Sequence, residues 1–139
     1  MLILDTNVVS ELMNPQGLEA VKTWAKQQVR QDVFVTAITQ AEILYGIRTL
    51  PEGRRKSRLQ ASALVVFEAE LANQILPFDS DSAQHFATIS AQRRRQGKPI
   101  SQFDAQIAAI CRVHQAAIAP RNVEDFTDCG IDIINPWEP

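Results

Sequence analysis

Apolar runs along this chain alternate with stretches whose apolar positions recur three and four residues apart, the pattern of strands interleaved with helices. Leu2-Ile3-Leu4 is an unalternating apolar run that ends on a carboxylate, Asp5. Such a run suits a strand buried on both faces, although periodicity by itself does not separate it from a buried helical segment. Ser10 to Met13 predict a short helical turn that stops at Asn14-Pro15, because the residue before a proline is pushed out of the helical region. From Leu18 onward, Val21, Trp24, Ala25 and Val29 share one helix face. Val33-Phe34-Val35 predicts a second buried strand. After it, Thr39-Gln40-Ala41-Glu42 has the spacing of a capping box, with Ile38 and Ile43 placed as a hydrophobic staple.

The second half repeats the alternation. Pro51 to Leu71 reads as a charged connection and a long helix lined inside by Leu59, Ala63, Val66, Phe67 and Leu71. Ile75-Leu76-Pro77-Phe78 predicts a brief strand at the sheet's edge or outside it, because proline cannot donate to a ladder. Asp79 or Ser80 caps the next helix, which carries Phe86, Ala87, Ser90 and Arg94 and stops near Gly97-Lys98-Pro99. Ser101-Gln102-Phe103-Asp104 opens another helix with the capping pattern. Ala116 to Ala119 and Ile131 to Ile134 are the last strand candidates. The order predicts a single three-layer α/β domain over residues 1–139, with a mostly parallel central sheet flanked by helices.

Composition narrows the class. With 45% hydrophobic and 22% charged residues among 139, the chain has the make-up of an ordinary soluble domain with a sizeable core. No apolar run approaches a membrane span and no cleavable leader precedes Leu2, so the cytoplasm is the expected location. Cys111 and Cys129 are too few for a disulfide framework. A net charge of −2 excludes indiscriminate coating of nucleic acid. Most of the 14 basic side chains nevertheless fall in two clusters, one at Arg48, Arg54, Arg55, Lys56 and Arg58, the other at Arg93, Arg94, Arg95 and Lys98. Solvated helix faces account for such clusters; phosphate contact is equally permitted, since it needs patches rather than a net excess.

The acids are more pointed. Ile107, Ala108 and Cys111 follow Asp104 at three, four and seven residues, so Asp104 tops the buried stripe of its helix and faces inward. A carboxylate facing a core is costly unless paired or bound to a cation. Each acid also has an ordinary explanation: Asp104 favours the helix dipole, the capping box accounts for Glu42, and Asp5 can bond its own backbone in an Asp-Thr-Asn turn. In a parallel sheet, however, all three arrive at one edge, where such folds place ligands. Crowded there, they raise at least one proton affinity unless a divalent cation neutralises them. Hard oxygen donors suit Mg²⁺ or Mn²⁺ over zinc, and neither His85 nor His114 has a partner at ligand spacing.

Leu-Asp-Thr-Asn at the start, Thr-x-x-Glu before a helix, an inward Asp at a later helix N-terminus, Arg-Asn-x-x-Asp-Phe from Arg121 and a terminal Asn-Pro-Trp resemble PIN-domain ribonucleases. The closest likeness is to toxins of bacterial VapBC-type toxin–antitoxin pairs, including the FitB-like branch. The resemblance implies metal-dependent hydrolysis of RNA, often a structured RNA such as tRNA, leaving 3′-hydroxyl and 5′-phosphate ends. Asp5, Glu42 and Asp104 would be the catalytic and metal-holding acids and Asn7 a polar orienter. The family's fourth position falls on Asn122, which can accept through its carbonyl but adds no charge. Pro120 stands where Thr is usual and removes a donor and a hydroxyl, and Asp125 is an alternative support with a competing role in the turn. Arg93, Arg94, Arg95 and Lys98 are the candidates for backbone contact with RNA, and no aromatic platform for unpaired bases is evident.

The same resemblance implies a cognate VapB/FitA-like antitoxin whose C-terminal segment crosses the active-site groove, a homodimer, and a higher assembly with the antitoxin. The helix with Trp24, the stripe at Ile43, Leu44 and Ile47 and the helix with Phe67 are apolar enough to supply such surfaces, while core packing is their default use. Two other classes remain. A haloacid-dehalogenase-like phosphatase would want a second Asp two residues after the first, where this chain has Asn7. A non-catalytic PIN-like binding module would use the acids only as caps or as a dock for a basic partner.

Overall fold

The computed structural model describes all 139 residues. Four short strands, β1 (Leu2–Leu4), β2 (Val33–Thr36), β3 (Ile75–Leu76) and β4 (Ala117–Ala119), form one sheet in the order β3-β2-β1-β4, with every pairing parallel. Leu2 is matched with Val33 on one side and Ala117 on the other, so β1 is central and its three residues are all buried. The helices are α1 (Thr6–Met13), α2 (Glu19–Lys26), α3 (Ala37–Arg48), α4 (Arg54–Leu64), α5 (Ser80–Arg95) and α6 (Gln102–His114). A π-type turn over Val65–Glu70 carries α4 onward.

Alternation along β1 sorts the layers, since successive side chains leave a strand on opposite faces. Leu2 and Leu4 join Val8, Val9, Trp24, Ile43 and Phe67 in one core. Ile3 lies in the other, with Ile89, Ile107, Ile110 and Phe126. The three-layer arrangement read from the sequence is therefore the one observed. The edge position of Ile75-Leu76, the Asp79 cap of α5 and the Ser101 cap of α6 are also as expected. Both cysteines are free and buried, and no helix is long and apolar enough to cross a membrane.

Several local expectations are corrected. The cap of α3 is Thr36, whose hydroxyl accepts from the Thr39 N–H at 3.1 Å. Strand β2 runs straight into the helix, so Thr39 lies inside α3 and the predicted capping box with its staple does not form. Val29 falls beyond α2 and is 60% exposed, because the helix ends at Lys26. Ile131 to Ile134 contributes a single parallel bridge, Ile133 to Ile118, instead of a strand. The buried residues of α5 are Ser82, Ile89 and Arg93, whereas Ala87 and Arg94 face solvent.

Candidate active site

Asp5 ends β1 and starts α1. Its N–H extends the ladder to Ala119 O at 3.0 Å, and its carbonyl accepts from Val8 and Val9 at 3.0 and 3.1 Å. Its side chain makes no capping bond to α1, although an N-terminal Asp usually does. The carboxylate is instead buried, with Asp5 only 5% exposed. Burial pushes its pKa from the ordinary 3.8 up to about 7; the Thr6 N–H beside it pulls the other way, and the charges of Asp104, Glu42 and Asp125 raise it further.

Glu42 reaches the same place from the second turn of α3 and is only half-buried. The Thr6 hydroxyl donates to its Oε1 at 2.9 Å, and Thr6 Oγ1 lies 3.0 Å from Thr39 Oγ1. With its single proton directed at Glu42, Thr6 accepts from Thr39, giving a relay from Thr39 to Thr6 to Glu42. Burial raises the Glu42 carboxyl, the Thr6 hydroxyl lowers it, and Asp104 raises it again. The hydrogen bond to Glu42 comes from Thr6, while its neighbour Asn7 is exposed on the wall of the groove.

Asp104 sits in the first turn of α6, where its N–H donates to the capping hydroxyl of Ser101 at 3.2 Å. Burial raises its carboxyl, the Ser101 hydroxyl lowers it, Asp125 raises it and Arg93 lowers it. Asp125 lies in a 3-10 turn, Val123–Phe126, that follows β4 and is anchored by fully buried Phe126. It bears on both Asp5 and Asp104, so it is the fourth acid of the cluster. Asn122, at the family's fourth position, is exposed just before that turn and makes no side-chain cap.

The expected contact of Arg93 with RNA is overturned. Arg93 is 5% exposed; its Nε donates to Lys98 O at 2.7 Å, and one terminal nitrogen donates to Asp125 O at 3.2 Å and Thr127 O at 2.9 Å. It holds the turn that carries Asp125. Arg94, Arg95 and Lys98 are exposed.

An open groove of about 510 Å³ runs from Thr6, Asn7 and Glu42 to Arg55, Arg58 and Arg121. The four acids are oxygen donors with the chemistry of a Mg²⁺ or Mn²⁺ site. No three His, Cys, Asp or Glu side chains are gathered tightly enough to enclose a metal ion as they stand. Asp5 lies within electrostatic reach of Glu42, Asp104 and Asp125, and the four do not form a closed ligand sphere.

The PIN domain family model matches residues 2–129. The chain belongs to the PIN-domain family. Within it, the chain is similar to the VapC ribonuclease Y4jK of Sinorhizobium fredii, at 38% identity over 100% of this chain and 99% of that protein. Toxin FitB of Neisseria gonorrhoeae is 37% identical over 99% of each. The crystal structure of FitAcB from Neisseria gonorrhoeae superposes with a TM-score of 0.92 at 34% identity, covering 100% of both chains. The all-parallel four-stranded sheet with six helices is the PIN-like fold of that structure. Thr6 follows directly on Asp5, so its place beside the acids was signalled by adjacency. The burial of Arg93 was signalled by its four-residue spacing from buried Ile89.

Proposed function

We propose that this PIN-domain chain is the toxin of a toxin–antitoxin pair and hydrolyses phosphodiester bonds of RNA, with tRNA the first substrate class to test. The observation that carries the reading is a buried carboxyl, Asp5, with three further acids, Glu42, Asp104 and Asp125, in electrostatic reach of it, beside a groove lined by Glu42 and by basic side chains. Acids concentrated in this way are unfavourable for the fold itself and serve a cationic ligand. Asp5, Glu42 and Asp104 would hold Mg²⁺ or Mn²⁺, with Asp125 as fourth acid; the bound ion supplies Lewis-acid stabilisation of the charge developing on the phosphate.

The chain's own residues do the positioning. Asp5 is fixed at the β1–α1 junction by backbone bonds on both sides, and the Thr39–Thr6 relay holds one oxygen of Glu42, a residue that lines the groove. Ser101 fixes the start of α6 and with it Asp104. An acid of raised proton affinity is suited to accept a proton from attacking water. Cleavage that leaves 3′-hydroxyl and 5′-phosphate ends would follow. The likeness to Toxin FitB and to the FitAcB structure supports a cognate antitoxin as partner; a homodimer is proposed as the working unit.

The test is incubation of purified, antitoxin-free protein with total tRNA in Mg²⁺ or EDTA, beside Asp5→Asn and Asp104→Asn. Discrete fragments that require the metal and vanish in both variants are expected. Folded protein that cleaves no RNA in Mg²⁺ or Mn²⁺ would overturn the nuclease and favour a non-catalytic binding module.

A further inference from the structure

We infer that the basic wall of the groove, Arg55 and Arg58 from α4 and Arg121 from the segment after β4, is the site that takes the phosphodiester backbone of the RNA next to the bond being cut. The inference rests on the proposed ribonuclease function and names the residues that would seat its substrate. All three guanidinium groups line the groove that Glu42 and Thr6 also line, so a strand seated on them passes Glu42, the member of the acid cluster that faces this groove. The one ion pair in the protein joins Lys56 to Glu52, so none of the three has a carboxylate within bonding range. Glu11, the other acid of the groove besides Glu42, is engaged by the Leu18 N–H at 2.8 Å. Arg121 is held over the ring of Trp137, 5.2 Å from its centre, which restricts the guanidinium without neutralising it.

Helix electrostatics separates this cluster from the one at Arg94 and Arg95. Those residues occupy the last turn of α5, where the dipole favours cations. Arg54, Arg55 and Lys56 open α4, where the dipole disfavours them; Glu52 pairs with Lys56, and the first turn holds no acid to offset the two arginines. Placement against the helix's own preference calls for an anionic ligand. A guanidinium also matches a phosphate with two parallel N–H donors.

The experiment measures binding of fluorescein-labelled total tRNA by anisotropy across a salt series. It uses the full chain in an Asp5→Asn background, so that the RNA stays intact. Arg55→Gln/Arg58→Gln should weaken binding at least tenfold and flatten log K against log salt by roughly 0.7–0.9 for each phosphate no longer neutralised. Arg121→Gln should flatten it by one such step. Arg55→Lys/Arg58→Lys should keep the slope, and Arg94→Gln/Arg95→Gln should bind within twofold of the parent. A glutamine pair with the parent's affinity and slope, or weakening confined to the Arg94/Arg95 pair, would overturn the inference while wild-type cleavage still stood. Wild-type protein that neither cleaves nor binds RNA would overturn the ribonuclease reading, and this inference with it.

Discussion

Replacing Asp5 by Asn should make the metal-free protein more stable at neutral and alkaline pH, although it removes a central residue of the proposed site. The unfolded carboxyl titrates near 3.8, and the folded one near 7 because burial and neighbouring acids disfavour its charge. A folded-state pKa above the unfolded value means that the native protein binds the extra proton between those limits. Stability is therefore lost as pH rises through that window. One pKa unit is worth about 1.4 kcal/mol, so the charged Asp5 costs the fold about 4 kcal/mol at pH 8, about 3 at pH 6 and about 1.5 at pH 5. Asn keeps the shape and an acceptor for the Thr6 N–H without the charge, and adds an amide that needs its own partners.

Urea unfolding in EDTA at pH 5, 6 and 8 should show Asp5→Asn ahead of wild type by about 2–4 kcal/mol at pH 8, with equal m-values and a gap that closes toward pH 5. Mg²⁺ at a hundred times its Kd should then return about 2.7 kcal/mol to wild type and nothing to the variant. An Asp5→Asn protein no more stable than wild type at pH 8, or a gap independent of pH, would refute the account of Asp5 as a buried, destabilised acid.

Arg93→Met should lower stability by about 3–5 kcal/mol in urea unfolding, because three backbone carbonyls lose a buried charged donor; Arg93→Lys should recover only part of it. Thr36→Val should cost about 1 kcal/mol through loss of the α3 cap, read as a lower melting temperature with RNA cleavage retained. Thr6→Val should remove a donor worth about 1.5–3 kcal/mol to the Glu42 carboxylate and slow cleavage by roughly 10- to 100-fold in kcat, with KM for RNA little changed.

The three acids were legible because each stands where an element begins or ends, at Asp5 after a buried run, at Glu42 after a helix start and at Asp104 above an inward stripe. Local pattern could not choose between Thr36 and Thr39 as the cap, since both precede helical residues at suitable spacing. The choice is made where β2 ends, at Thr36; Thr39 then lies inside α3, where Thr6, 33 residues from it and 36 from Glu42, bonds both. Arg93 was misassigned because it sits in a basic run whose other members are exposed. Helical spacing from Ile89 turns it inward, and two of the three carbonyls it satisfies belong to a segment more than 30 residues away. The groove joins α4 to a segment after β4, so its basic wall could be recognised only from the folded chain.

Burial, more than clustering in sequence, divides the cations into those that build the site and those free to meet a ligand. Four acids drawn to one sheet edge repel, and Arg93 is the buried cation behind them, close enough to lower the Asp104 carboxyl yet in no ion pair. Its donors go to the turn that delivers Asp125, so one side chain shapes the turn and offsets part of the charge the turn brings. Lysine, with a single ammonium on a flexible stem, cannot reproduce donors that leave a rigid fork toward Lys98 on one side and Asp125 and Thr127 on the other. Arg55, Arg58 and Arg121 are exposed and unpaired, so exchanging them changes the field in the groove without disturbing the core. On the proposed seating of RNA, exchanges at the groove wall change binding while the geometry of the acids, held by Arg93, Thr6 and Ser101, stays fixed.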